Sequence, residues 1–131
     1  MQINVAPFEN SFAAEISGFD IQRGITKRQF EIIHEAFLDY KVLIFRDQPL
    51  DDKAHQTFGM LFGELDGHIN KSTRHKALPS VQIFSNVKAN GETTGVHPEK
   101  GTQVWHTDKS YTATPSLTTI LRSPEIARVG G

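Results

Sequence analysis

The stretch from Thr26 to Arg46 constrains the fold most, because a helix signal runs there directly into a strand signal. Thr26, followed three residues later by Gln29, is the pattern of a capping box, in which each side chain satisfies a backbone donor of the other residue. Phe30, Ile33, Phe37 and Leu38 then recur at helical spacing up to Tyr40, so one face of the helix is apolar. Lys41 to Arg46 (KVLIFR) changes at once to a continuous branched and aromatic run, which predicts a buried strand. A chain that switches period so abruptly is expected to be α+β.

The flanking segments extend that reading. Phe12 to Ile16 is short and apolar and stops at Ser17-Gly18, which suits a strand entering a turn. Pro49 and Asp51 mark the start of a second helix, with Phe58, Leu61 and Phe62 on its apolar face and Gly63 at its end. Val81 to Val87 (VQIFSNV) reads as a strand, followed by a loop from Lys88 to Gly101 that is rich in Gly, Asn and Thr and long enough to be functional. Two further strands are expected at Thr102 to Asp108 and Leu117 to Leu121, split by a turn near Thr114-Pro115. Phe8, Phe30, Phe37, Phe45, Phe58 and Phe62 are assigned to core packing. Arg46-Asp47-Gln48 is expected to be a structural turn whose charges satisfy each other and nearby backbone.

Composition excludes several functions. A chain of 131 residues has the length of one domain, and with 37% hydrophobic residues its apolar content is low enough that the core is expected to be incomplete. The 14 basic and 15 acidic residues are spread along the chain, leaving no stripe to neutralise phosphates, so nucleic acid is not an expected partner. Without cysteine there is neither a disulfide nor a thiolate metal site, and any metal must be held by His, Asp or Glu. Met1 to Asn10 lacks a basic start with an apolar run behind it, and no stretch approaches the ~18 apolar residues of a membrane span. A cytoplasmic protein with no membrane partner is the expectation, and a homo-oligomer is compatible with it.

Chemistry centres on Trp105-His106-Thr107-Asp108. On a strand, His106 and Asp108 leave from one face and Trp105 and Thr107 from the other, which predicts Trp105 packed behind the ligand strand. Cα atoms two apart on a strand lie about 6.5–7 Å apart, a span that an imidazole and a carboxylate close around one metal ion. The spacing alone is weak evidence, since six His and seven Asp in this chain give about 0.3 chance occurrences of His-x-Asp. His97-Pro98-Glu99 is a second match, inside the Gly-rich loop, and is read as solvated loop. His34, His55 and His75 are expected at surface or half-buried positions rather than as ligands.

Four motifs in order give the pair its context: Ile16-Ser17-Gly18-Phe19-Asp20, Val42-Leu43-Ile44-Phe45-Arg46-Asp47-Gln48, Phe62-Gly63-Glu64-Leu65 and Trp105-His106-Thr107-Asp108. In order and spacing they resemble the taurine dioxygenase family, which includes the 2,4-dichlorophenoxyacetate dioxygenases, along nearly the whole chain. The resemblance implies an incomplete double-stranded β-helix (a cupin-like jelly roll) with flanking helices, residues 1–131 forming a single incomplete catalytic domain. It implies Fe(II) held by His106 and Asp108, 2-oxoglutarate as cosubstrate, and dioxygen and a small, anionic organic molecule as partners. The implied reaction hydroxylates a sulfonate, sulfate ester or aryloxy acid while 2-oxoglutarate yields succinate and CO2.

By the same resemblance, His68 falls where the taurine enzyme places a histidine facing the substrate's anionic group, the alternative being a surface loop histidine. Ser110 and Tyr111 are candidates for lining the substrate mouth, with a plain strand-edge role as the alternative. The family's second iron-binding His and the Arg that pairs with 2-oxoglutarate fall beyond Gly131, so the 131 residues alone are expected to be inactive. Two other readings stay open: a non-catalytic remnant or binding module of the same fold, and a cupin-type hydrolase in which His97 or His68 completes a Zn site.

Overall fold

The computed structural model describes residues 2–67, 73–88, 90–95 and 104–124. The chain divides into two compact units, Met1–Leu65 with Arg122–Gly131, and Asp66–Leu121.

The first unit is built on a three-stranded sheet in the order β1-β2-β3, with β1 at Asn4–Pro7, β2 at Ala13–Ser17 and β3 at Val42–Ile44. β1 pairs antiparallel with β2, with Val5 opposite Ile16, whereas β2 pairs parallel with β3, with Ala14 opposite Leu43. A parallel neighbour requires a crossover. It is made by a 3-10 turn at Ile21–Arg23 and by α1 at Lys27–Tyr40, which packs on β2 and β3. The capping box is present: the Gln29 amide donates to Thr26 Oγ1 at 3.3 Å, and the Thr26 amide donates to Gln29 Oε1 at 2.9 Å. α1 buries Ile33 and Ala36, while β2 buries Ala13, Ala14 and Ile16.

α2 runs from Asp52 to Met60 and is capped by Asp51, whose Oδ1 accepts from the Ala54 amide at 2.7 Å. Its start is docked to the 3-10 turn by a reciprocal pair: the Asp51 amide donates to Gln22 Oε1 at 2.8 Å, and Gln22 Nε2 donates to Asp51 Oδ2 at 3.2 Å. Arg122, far along the chain, donates to the Leu50 carbonyl and pairs with Asp52 at the same helix start.

Between the helices and the sheet the rings form one chain of edge-to-face contacts. Phe19 meets Phe45 at 5.9 Å, Phe45 meets Phe58 at 5.6 Å, and Phe58 meets Phe62 at 5.5 Å. Phe62 in turn touches Phe30 at 5.1 Å and Phe37 at 5.9 Å. Interplanar angles of 78–86° place the positive edge of one ring on the negative face of the next. Phe8 is the exception among the assigned core aromatics, lying exposed just after β1.

Gly18 explains the glycine of the first motif. Its φ is +88°, and a Cβ there would lie 2.2 Å from the Gln2 carbonyl oxygen, so both conformation and space exclude a side chain. The Arg46-Asp47-Gln48 turn differs from expectation in its partners. Arg46 Nε pairs across the sheet with Glu15 Oε2 at 3.0 Å, Asp47 takes φ +53°, and Gln48 Oε1 accepts from the Ile21 amide at 2.9 Å. Arg46 is thus paired with β2 rather than with Asp47, whereas Gln48 bonds nearby backbone as expected, its Nε2 also donating to the Phe19 and Arg46 carbonyls at 3.4 and 3.2 Å.

Four expected strands are corrected. Lys41 to Arg46 gives only Val42–Ile44, with Val42 exposed and its neighbours half-buried, because among the described residues β3 pairs with β2 alone and Phe45 leaves the strand to join the ring chain. Val81 to Val87 is not a strand: it contributes isolated bridges, Arg74 with Gln82 and Val87 with Thr93, and only Val81 is buried. The described parts of Thr102 to Asp108 and of Leu117 to Leu121 form no ladder either. Branched and aromatic residues favour a strand only where a neighbouring strand takes up the backbone groups. Among the described residues no helix is long and apolar enough to cross a membrane.

Phe62→Ala is expected to cost about 2–3 kcal/mol, the lower end for a phenylalanine because the ring is half-buried, whereas Phe12→Ala, at an exposed ring, should change stability by less than about 0.5 kcal/mol. Urea unfolding of the two variants checks this. Asp51 supplies a pH dependence: the Ala54 amide, then the Gln22 side chain, hold its carboxyl below the ordinary 3.8. A carboxylate depressed on folding stabilises the fold fully above its unfolded pKa, and the contribution is lost as pH falls through the folded value. The stability difference between the wild type and Asp51→Asn should therefore be constant near neutrality and shrink below about pH 4, measured by urea midpoints across that range.

Candidate metal centre

His106 and Asp108 belong to the second unit, in an unpaired segment that enters a tight turn at Asp108–Tyr111. Lys109 takes φ +55°, and the Thr112 amide donates to the Lys109 carbonyl at 3.0 Å, closing the turn. The Thr112 hydroxyl also reaches that carbonyl, at 2.7 Å, and Lys109 Nζ pairs with Asp66 Oδ2 at 2.7 Å. A left-handed lysine is thus held from both its backbone and its side chain.

The two expected ligands meet without a strand to align them. His106 Nε2 lies 3.4 Å from Asp108 Oδ1. His106 Nδ1 lies 2.8 Å from the Val104 carbonyl oxygen, and since a carbonyl only accepts, Nδ1 carries the proton. In the neutral ring Nε2 then presents a lone pair to an anionic oxygen. Two electron-pair donors facing each other across that gap suit a cation better than each other. A backbone carbonyl on the far ring nitrogen is the usual way in which a metal-binding imidazole is oriented. Asp108 Oδ2 is engaged separately, accepting from the Thr119 hydroxyl at 2.6 Å.

Both side chains are a little under half exposed, 44% for His106 and 46% for Asp108, so the site is open to solvent and exogenous ligands. Ser110 and Tyr111 follow in the turn and are exposed. Trp105, expected behind a ligand strand, is instead fully exposed, because no strand forms to give it an opposite face. His68 and the His97-Pro98-Glu99 motif lie outside the described residues. Among the described residues no three His, Asp or Glu side chains gather into a ligand set. His75 shapes a turn: its Nδ1 accepts from the amides of Ala77 and Leu78, at 3.2 and 3.0 Å. His34 is half-buried on α1 with its ring 5.7 Å from that of Phe30.

The family model described as "Taurine catabolism dioxygenase TauD, TfdA family" matches residues 4–131, which include both units and all four sequence motifs. The chain belongs to this family.

Among curated relatives, the α-ketoglutarate-dependent sulfate ester dioxygenase of Pseudomonas putida is 26% identical over all of this chain and 40% of its own length. The alkylsulfatase of Acinetobacter baylyi is 28% identical over 99% of this chain and 38% of its own. The chain thus spans about two fifths of the length of these relatives. A taurine dioxygenase from Burkholderia xenovorans superposes on 59% of this chain and 28% of its own, with a TM-score of 0.54 and 31% identity. Another structure from Burkholderia xenovorans, described as a "Putative Alpha-ketoglutarate-dependent Taurine Dioxygenase", covers 66% of this chain and 32% of its own, with a TM-score of 0.59 and 31% identity.

Within the TauD, TfdA family frame, the sequence motifs separate by role. The first three hold the sheet, the 3-10 turn and the ring chain of the first unit together, through Gly18, Gln48 and Phe62. Only the fourth pairs an imidazole with a carboxylate, His106 Nε2 and Asp108 Oδ1 lying 3.4 Å apart. Sequence reading missed two groups that bond the candidate ligands. The Val104 carbonyl is backbone and leaves no residue-type signal, and Thr119 is remote from Asp108 in sequence, without local motif.

The Nδ1–H tautomer of His106 is a direct consequence of the geometry. Long-range proton–nitrogen correlation spectra of the metal-free protein, at a pH where the ring is neutral, should show Nδ1 protonated and Nε2 bare; the opposite pattern would contradict the Val104 contact.

Proposed function

We propose that the protein carrying this chain is an Fe(II)- and 2-oxoglutarate-dependent dioxygenase that hydroxylates a small organic anion, a sulfonate, a sulfate ester or an aryloxy acid. The observation that carries this reading is the facing of His106 Nε2 and Asp108 Oδ1 at 3.4 Å, with the imidazole proton parked on the Val104 carbonyl. One neutral nitrogen and one anionic oxygen are the donors that a non-haem Fe(II) site with two histidines and a carboxylate uses. Membership of the family and the names of the relatives support the reaction class.

In this reading His106 contributes its Nε2 lone pair and Asp108 its Oδ1 charge. The Val104 carbonyl prevents the ring from flipping to the wrong tautomer. Bound iron supplies the activation of dioxygen, coupled to decarboxylation of 2-oxoglutarate to succinate and CO2. Ser110 and Tyr111, exposed beside the ligand pair, line the substrate mouth, and His68 presents a cation to the substrate's anionic group. Both units form parts of one catalytic domain, a double-stranded β-helix, a reading supported by the likeness to the taurine dioxygenase structures.

The test is 2-oxoglutarate turnover by the intact protein, with succinate measured against a panel of sulfonates, sulfate esters and aryloxy acids. His106→Ala should reduce substrate-dependent succinate formation to background, whereas His97→Ala should leave it largely intact. The reverse result would assign the metal to the other His-x-acid motif. Activity that persists without dioxygen and keto acid would replace the oxygenase reading with a hydrolytic one.

A further inference from the structure

Asp108 is held by a group that its own sequence neighbourhood does not supply. Thr119 lies beyond the turn, yet its Oγ1 donates to Asp108 Oδ2 at 2.6 Å. That length is typical of a hydroxyl bonded to an ionised carboxylate, the stronger class of hydrogen bond. The other oxygen, Oδ1, faces His106 Nε2 at 3.4 Å. The two oxygens of one carboxylate are therefore divided between two tasks.

We propose that Thr119 is a positioning residue for the metal-binding carboxylate: its hydroxyl engages Asp108 Oδ2 and so presents Oδ1 to the metal beside His106. This rests on the assignment of His106 and Asp108 as iron ligands. The physical need is specific. A carboxylate that is nearly half exposed rotates about its terminal torsion with little resistance, and both oxygens compete for a cation. Occupying one oxygen with a fixed donor selects single-oxygen ligation and lowers the ordering cost of binding. Threonine suits this task because its β-branch restricts the first side-chain torsion, so the hydroxyl is itself held.

The turn explains how a residue so distant in sequence arrives. Left-handed Lys109, tied to Asp66 through Nζ and to Thr112 through its carbonyl, reverses the chain immediately after the ligand. The segment beyond then brings Thr119 back to Asp108. The ammonium of Lys109 is directed to Asp66, at 2.7 Å.

The experiment is an anaerobic titration of the intact protein with Co(II), read by its visible absorption, for the wild type, Thr119→Val and Thr119→Ser. Thr119→Val keeps the shape and removes the donor, and is expected to weaken Co(II) binding about 10- to 100-fold and to shift the absorption bands as the carboxylate mode changes. Thr119→Ser restores the hydroxyl and should return both readouts close to wild type. If circular dichroism shows that the valine variant is unfolded, Thr119→Ala takes its place under the same criterion. Equal binding by the wild type and the donor-less variant overturns the proposal. Equal weakening by the valine and serine variants also overturns it, since the hydroxyl is then not the operative group. A wild-type protein that binds no Co(II) would refute the metal-site assignment itself, a result distinct from failure of the Thr119 proposal.

Discussion

Phe62 is where the first unit is held together. It follows α2, yet its ring meets Phe30 and Phe37 of α1 and Phe58 of α2 at centroid distances of 5.1 to 5.9 Å. The chain of rings continues through Phe45, beyond β3, to Phe19, ahead of the 3-10 turn. Two helices and a small sheet have little aliphatic volume to share, as Ala13, Ala14 and Ala36 show. Edge-to-face rings supply the missing area, and each such pair contributes about 0.5–1.5 kcal/mol beyond simple burial. The polar docking of α2, through Asp51, Gln22 and Arg122, sets direction where the rings supply cohesion.

The candidate metal centre is organised by backbone geometry and hydrogen bonds rather than by burial. Its two donors are nearly half exposed, and the described residues around them form no strand. What orders it is a short set of bonds: the Val104 carbonyl on one imidazole nitrogen, the Thr119 hydroxyl on one carboxylate oxygen, and a lysine turn between them. The first leaves Nε2 of the neutral His106 ring without a proton, and the second engages Oδ2 of Asp108 rather than Oδ1. That is the arrangement in which a cation gains most, because the donors are already aimed and their competing partners are occupied elsewhere.

Legibility differed between the two regions for a physical reason. α1 was readable because its signals are local: Thr26 and Gln29 cap each other within one turn, and Phe30, Ile33 and Phe37 repeat at the helical period. The start of α2 at Asp51 and the glycine at Gly18 were readable for the same reason. The strands expected at Val81 to Val87, Thr102 to Asp108 and Leu117 to Leu121 were not legible, because a strand exists only through a partner, and the residues that favour strands are equally found exposed in irregular segments such as Ile83, Phe84 and Leu117. Trp105 illustrates the consequence, since the two-residue alternation that placed it behind the ligands applies only to a strand.

By itself the sequence determined the two α-helices and their N-caps, the compulsory glycine and the absence of thiolate ligands, and it made His106 and Asp108 the candidate ligand pair through the four ordered motifs. Tertiary structure alone decided how that pair is presented. The tautomer of His106 depends on a carbonyl, which every residue possesses, and the presentation of Asp108 depends on Thr119, which a turn returns to it from a distance. Local periodicity encodes what a residue does within its own element. Through-space hydrogen bonds between segments carry no such period, so they become visible only once the chain has folded back on itself.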